Sequence, residues 1–348
     1  MGKRCIMGKS ILLEEFMKKL IVFVLMLSVL SAAVFAGGGS QSGGGGLPTI
    51  GAAIYKFDDT FMSYVRNTIE QSAQGKAQLT MVDSQNSQPT QNDQVDQFIT
   101  RGMKAIAINP VDRTAAGTIV DKAKARNVPV VFFNREPFAE DMNKWDKVYY
   151  VGAKAEQSGT MQGEIAVEWW KANKPAGTVL RYIMLKGEPG HQDAELRTEF
   201  SIKAVRDAGI QVQLLAEDTA MWDRPRAVEK MDAFWARFGE QIDMVFCNND
   251  DMALGVIESL RKVGFFSGGR YLPVLGVDAT PPALQALAEG TLLGTVLNDA
   301  VNQGKATFDL AYALVSGTTP TTPAGTMDGR YCWVPYQKVT RDNYKNFQ

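Results

Sequence analysis

Val128-Pro129-Val130-Val131-Phe132-Phe133 (VPVVFF) is apolar at every position. A strand with one face in water alternates polar and apolar side chains. A run without alternation belongs to a strand buried on both faces, as in a parallel sheet covered by helices on each side. Ala105–Asn109 reads the same way, and Thr114–Arg126 between them has helical spacing. Working outward, further strands are predicted at Ile50–Tyr55, Leu79–Asp83, Val179–Leu185, Val212–Ala216, Met244–Asn248, Val274–Val277 and Thr295–Leu297. Helices are predicted at Phe61–Ala73, Gln91–Arg101, Ser158–Lys171, Asp193–Asp207, Arg226–Phe238, Met252–Val263 and Pro281–Glu289. Strand–helix alternation of this kind implies an α/β fold with parallel sheets between helices.

The chain has 348 residues, 45% of them hydrophobic, too many for one ordinary core and enough for two lobes of roughly 150 residues. Charged residues make up 22% and the formal net charge is -1. Neither value fits a disordered chain, and a nucleic-acid-binding surface needs a clear basic excess.

The N-terminus has the pattern of an export signal. Lys18 and Lys19 precede an apolar run of 16 residues, Leu20–Phe35, and Val34 and Ala36 supply the small residues of a cleavage site. The alternative, a retained anchor, is disfavoured because the run barely reaches bilayer length and Ser28 and Ser31 interrupt it. Met17 is an alternative start, since the charged segment begins just after it. Cleavage after Ala36 removes five basic and two acidic residues and turns the formal -1 into -4. Residues 37–47, with the run GGGSQSGGGG, form a flexible linker. No Cys follows the apolar run, so no lipid-anchor site is expected, and the location implied is periplasmic. Cys5 leaves with the signal. Cys247 and Cys332 either pair, if their strands are neighbours, or are two small buried hydrophobes.

In parallel α/β sheets, ligands sit beyond the carboxyl ends of the strands. Seven predicted strand ends deliver Asp, Asn, His or Trp: 56–61, 134–136, 186–193, 218–223, 248–251, Asp278, and 298–299. Taken singly, an Asp or Asn there caps the next helix or makes a turn. Helix caps do not, however, require Phe61, His191 or Trp222. A pyranose offers several hydroxyls, each donor and acceptor, and two apolar faces. Planar Asp, Asn and Arg groups with aromatic rings above and below would meet both demands. Asp193 and Arg197 stand at i and i+4, either a surface ion pair or, facing a cleft, a fork for two adjacent hydroxyls. His191 is the only His, and a lone His is often structural. Enzyme readings are weaker. A metal site of the HExxH kind needs a second His, and neither a GxSxG elbow nor a glycine-rich phosphate loop occurs. A glycosidase carboxylate pair remains conceivable among the Asp-rich strand ends.

The segments IYKFDDTFMSYVR, DSQNSQ, QNDQVDQ, AINPVD, VPVVFFNREP, YYVGA, LKGEPGHQDAELR, DTAMWD, NNDDMALG, GVDATPPAL and GTVLNDAVNQGKATFDLA occur in this order. From Thr49 to the C-terminus the chain resembles the periplasmic galactose/glucose-binding proteins, type I substrate-binding proteins of ABC importers. The resemblance implies two doubly wound parallel-sheet lobes joined by a three-strand hinge, with crossings near Gly152, Asp299 and Val334. The lobes would comprise 48–152 with 300–333, and 153–299 with 334–348. It implies a binding set of Asp59, Phe61, Asn134, His191, Asp193, Arg197, Trp222, Asn249, Asp278 and Asn298. In it Phe61 and Trp222 sandwich the sugar ring, and Asp59 handles the 4-hydroxyl of either epimer. The partners implied are a glucose- or galactose-type monosaccharide and a membrane permease, with a chemoreceptor as an alternative reader and a monomer as the working state. A transcription regulator on the same core would need an N-terminal helix-turn-helix in place of the export signal. One departure stands out. Where the family carries a carboxylate-rich calcium loop, this chain has Lys171-Ala172-Asn173-Lys174-Pro175-Ala176-Gly177-Thr178, so no metal or other cofactor is expected.

Overall fold

The structure is a computed structural model that describes residues 46–348. The expected export signal, and all but the last two residues of the linker, lie outside the described residues. Among the described residues no helix is long and apolar enough to cross a membrane.

Among the described residues thirteen strands form two sheets. The first contains β1 (Thr49–Ile54), β2 (Gln78–Asp83), β3 (Ala105–Ile108), β4 (Val130–Phe133), β5 (Val148–Gly152), β11 (Thr326–Asp328) and β12 (Tyr331–Trp333), in the order β11-β12-β5-β4-β3-β1-β2. The second contains β6 (Leu180–Lys186), β7 (Val212–Thr219), β8 (Met244–Cys247), β9 (Val274–Leu275), β10 (Gly294–Leu297) and β13 (Gln337–Thr340), in the order β13-β10-β9-β8-β6-β7. The helices are α1 (Thr60–Ala73), α2 (Gln88–Thr100), α3 (Ala116–Ala125), α4 (Ala139–Met142), α5 (Ala155–Asn173), α6 (Gln192–Asp207), α7 (Arg224–Phe238), α8 (Asp250–Lys262), α9 (Pro281–Glu289) and α10 (Ala300–Ser316).

The VPVVFF run lies at the heart of the first sheet, paired with β3 on one side and β5 on the other. Its side chains divide between two cores. Val131 and Phe133 pack with Met62 and Val65 of α1 and Phe308 of α10. Val130 and Phe132 pack with Val95 and Phe98 of α2 and Ile119 and Val120 of α3. Burial on both faces is what the lack of alternation required. The second sheet repeats the arrangement. Ile183, Leu185 and Val245 face Met231 and Val256 of α7 and α8, while Met184, Met244 and Phe246 face Ile165 and Ile202 of α5 and α6.

The sheets are not wholly parallel, as the sequence led us to expect. β11 pairs antiparallel with β12, and β13 antiparallel with β10, each at a sheet edge where a short hairpin or a returning tail can add. β7 runs three residues beyond the expected Ala216, so Asp218 lies within the strand, bonded by Lys230. As an edge strand it keeps pairing with β6 after its hydropathy turns polar. β9 ends at Leu275, but the ladder resumes when the Asp278 amide donates to the Val296 carbonyl at 2.8 Å. The chain crosses between the sheets after β5, after β10 and after β12, which makes a three-strand hinge. Cys247 on β8 and Cys332 on β12 sit in different sheets, and both are buried free thiols. Their strands are not neighbours, so the two stand as small buried hydrophobes.

Candidate functional site

The carboxyl ends of β1, β4, β6, β7 and β8 and the 278 and 298 turns surround one cavity between the lobes, about 360 Å³ free of protein atoms. All ten residues named from the sequence line it: Asp59, Phe61, Asn134, His191, Asp193, Arg197, Trp222, Asn249, Asp278 and Asn298. Tyr55, Met62 and Arg135 join them.

Three of the ten cap helices as well as facing the cavity, so capping and site readings hold together. Asp59 caps α1: its Oδ1 accepts from the Met62 amide at 2.7 Å, and its Oδ2 accepts from the Tyr55 hydroxyl at 2.6 Å. Asn249 caps α8, its Oδ1 accepting from the Met252 amide at 3.0 Å while its Nδ2 donates to the Trp222 carbonyl at 3.3 Å. His191 caps α6 through Nδ1, which accepts from the Asp193 amide at 3.1 Å. Burial, and then the Arg135, Arg197 and Arg113 charges, hold its pKa well below the usual range for histidine. A neutral ring whose Nδ1 accepts carries its proton on Nε2, leaving that N–H as a donor.

The centre of the second lobe's contribution is a buried guanidinium. Arg197 donates from Nη1 to the Asn248 carbonyl at 2.9 Å, and from Nη2 to Asp193 Oδ2 at 3.0 Å and the Tyr336 hydroxyl at 3.1 Å. Asp278 Oδ1 lies 3.9 Å from Nη1. Burial works against the Arg197 charge, but Tyr336, Asp193 and Asp278 more than offset it, so its pKa is raised. Burial likewise pushes the carboxyls of Asp193 and Asp278 up, each opposed first by Arg197. Asn298 donates to Asp278 Oδ1 at 3.2 Å and accepts from Gln303 at 2.6 Å. Asn298 therefore ties the cavity to α10 at the second crossing, and Tyr336 ties it to the third.

Three lining residues hold backbone shapes that L side chains rarely adopt: Asn134 (φ 61°), Trp222 (φ 63°) and Asp278 (φ 126°). Such strain persists only when the surroundings enforce it. At Asn134, Asn109 Nδ2 donates to Oδ1 at 3.1 Å and the Tyr150 hydroxyl donates to the carbonyl at 3.0 Å. The Trp222 ring meets His191 edge-on, centroids 5.0 Å apart, and its buried Nε1 has no hydrogen-bond partner. Gly187 makes room for it, since a Cβ there would lie 2.1 Å from the indole.

Arg135 was visible as a strand-end residue but not assigned to the site. It is 5% exposed, lies 3.8 Å from the Tyr55 ring centre, and bonds Glu188 of the other lobe through both Nη atoms, at 3.2 and 2.9 Å. The Thr60 hydroxyl also reaches across, to Asp251 Oδ2. The lobes are therefore closed on each other around the cavity. The cavity offers the rings of Tyr55, Phe61 and Trp222, acceptor carboxylates, amides and the two guanidinium groups of Arg135 and Arg197, a set suited to a small neutral polyol.

A family model described as periplasmic binding protein domain matches residues 50–319. The chain belongs to the periplasmic binding protein family. This binding protein is 45% identical over 309 residues to the D-galactose/methyl-galactoside binding periplasmic protein MglB of Haemophilus influenzae, covering 86% of this chain and 91% of that one. It is 27% identical to the ribose import binding protein RbsB of Bacillus subtilis, over 77% of this chain and 82% of that one. Among solved structures it resembles an ABC transporter solute binding protein from Bacillus halodurans C-125 with bound myo-inositol. The TM-score there is 0.75 at 30% identity, covering 88% of this chain and 99% of that one. The binding protein thus has the two-lobed α/β fold of the solute-binding components of ABC transporters.

Proposed function

We propose that this binding protein captures one hexose, D-glucose and/or D-galactose, in the periplasm and hands it to the membrane permease of an ABC transporter. The observation that carries the reading is the one interlobe cavity that gathers Phe61 and Trp222 together with Asp59, Asn134, His191, Asp193, Arg197, Asn249, Asp278 and Asn298. A sugar between the lobes bridges both, and only the closed form makes both sets of contacts, so binding shifts the hinge equilibrium toward closure. Affinity near micromolar, about −8 kcal/mol, is expected. The relative from Haemophilus influenzae, named for galactose and methyl-galactoside, supports the choice of hexose.

Delivery is the whole function in this reading, with no catalysis. The protein works as a monomer and without calcium: residues 171–178 contain two lysines and no carboxylate. A rise in melting temperature with micromolar calcium would overturn that part. Calorimetry of the mature chain with glucose, galactose, ribose and arabinose tests the main claim. Tight binding confined to the hexoses is expected, with Trp222→Ala and Asp193→Ala each losing most of it while remaining folded. Wild-type affinity in either variant would defeat the site. A chemoreceptor that reads the closed form would use the same site and differ only in partner.

A further inference from the structure

A second cavity lies beside the hexose site. It encloses about 1310 Å³ free of protein atoms, part of it open to solvent, against about 360 Å³ for the first. It too is built by both lobes, with Arg113, Glu136 and Phe138 from one side and Glu188 and Gln192 from the other. Arg135 and His191 line both cavities. Arg135 spans the wall between them. Its guanidinium lies against the Tyr55 ring on the hexose side, while its Nη1 donates to the Val111 carbonyl at 2.6 Å on the other.

The wall of the larger cavity repeats the chemistry of the smaller one. Phe138 is 39% exposed and belongs to none of the hydrophobic core clusters, so its aromatic face is not needed for packing. The Arg113 guanidinium stacks 4.2 Å from the centre of that ring. The wall also holds the Glu136 carboxylate and, across the cleft, Gln192, whose buried Oε1 has no hydrogen-bond partner. An aromatic platform, a planar cation and amide and carboxylate acceptors suit a second ring carrying hydroxyls.

We propose that this cavity is a subsite for the second sugar ring of a hexose disaccharide whose first ring occupies the inner site. Phe138 and Arg113 form its platform, and Gln192 and Glu136 its hydrogen-bonding partners. The inference rests on the hexose reading. The test is calorimetry with galactose, glucose, lactose, melibiose, maltose and cellobiose on the wild type, Phe138→Ala and Arg113→Ala. One disaccharide is expected to bind at one site per chain, within tenfold of the monosaccharide, and to compete with it. Phe138→Ala and Arg113→Ala should weaken that disaccharide tenfold or more and leave the monosaccharide within twofold. The proposal is overturned if no disaccharide displaces the monosaccharide, or if the substitutions weaken both ligands alike with an unchanged melting temperature. Silence toward monosaccharides alone would overturn the hexose reading. Disaccharide binding that survives there and falls in Phe138→Ala would still support the subsite. Silence toward every sugar would sink both.

Discussion

Gly187→Ala should damage sugar binding although Gly187 is not itself one of the residues that line the cavity. A Cβ on residue 187 would sit 2.1, 2.3 and 2.3 Å from Cζ2, Cε2 and Cη2 of Trp222. Carbon atoms settle at about 3.5–4.0 Å, so the indole must retreat by roughly 1.5 Å. In the sugar-free protein it can swing into the empty cavity, which limits the loss of stability. Admitting a sugar then forces it back against the new methyl group. Overpacking of this kind costs about 1–3 kcal/mol, which corresponds to a roughly five- to 150-fold rise in Kd. Calorimetry with galactose reads the affinity and a thermal melt in the absence of sugar reads the stability. A variant with wild-type affinity would refute the idea that Trp222 is held against the Gly187 backbone as the sugar platform. A melting temperature that collapses along with affinity would show instead that Gly187 serves the fold.

Two further perturbations separate closure from packing. Glu188→Ala removes the cross-lobe partner of Arg135 but leaves the arginine its Tyr55 ring and Val111 carbonyl. Loss of charge-assisted hydrogen bonds is expected to speed sugar release roughly ten- to a hundredfold, measured by stopped-flow, with little change in the on-rate. Asp250 is fully buried, and burial pushes its carboxyl up to about 7, opposed by hydrogen bonds from Thr295 and Thr280. A folded-state pKa above the unfolded one means that the folded protein holds the proton more tightly. The stabilisation is therefore complete below about pH 4 and is lost as pH rises through about 7, a range worth at most ~4 kcal/mol. The melting temperature of the sugar-free protein should fall between pH 5 and 8, and Asp250→Asn should flatten part of that slope. An identical slope in the variant would mean that other buried carboxyls, such as Asp193 and Asp278, carry it all.

Much of the architecture was legible because its causes are local. VPVVFF lacks alternation because both its faces are covered, and that property is written in the run itself. The strand-end segments were legible because parallel sheets place the residues that follow their strands at one end, while the set of ten, with Arg197 inside a helix, came from the family resemblance. The short elements β5, β11, β12, β13 and α4 were not foreseen, and neither was the 17-residue α10. A three-residue strand such as Tyr331–Trp333 has no period to detect, and its pairing with β5 depends on a partner about 180 residues away.

The chain's own order of apolar runs and polar strand ends thus determined the fold class, the doubling of the sheet and the chemistry of the cleft. Tertiary structure alone decided how those groups are held. It brought Tyr336, from the third crossing, onto Arg197, set Arg135 against Glu188 across the lobes, pressed Trp222 over Gly187, and parted Cys247 from Cys332. Each of these is a meeting of residues distant in sequence. Their geometry depends on how two lobes close about a hinge, and no local pattern of side chains encodes that.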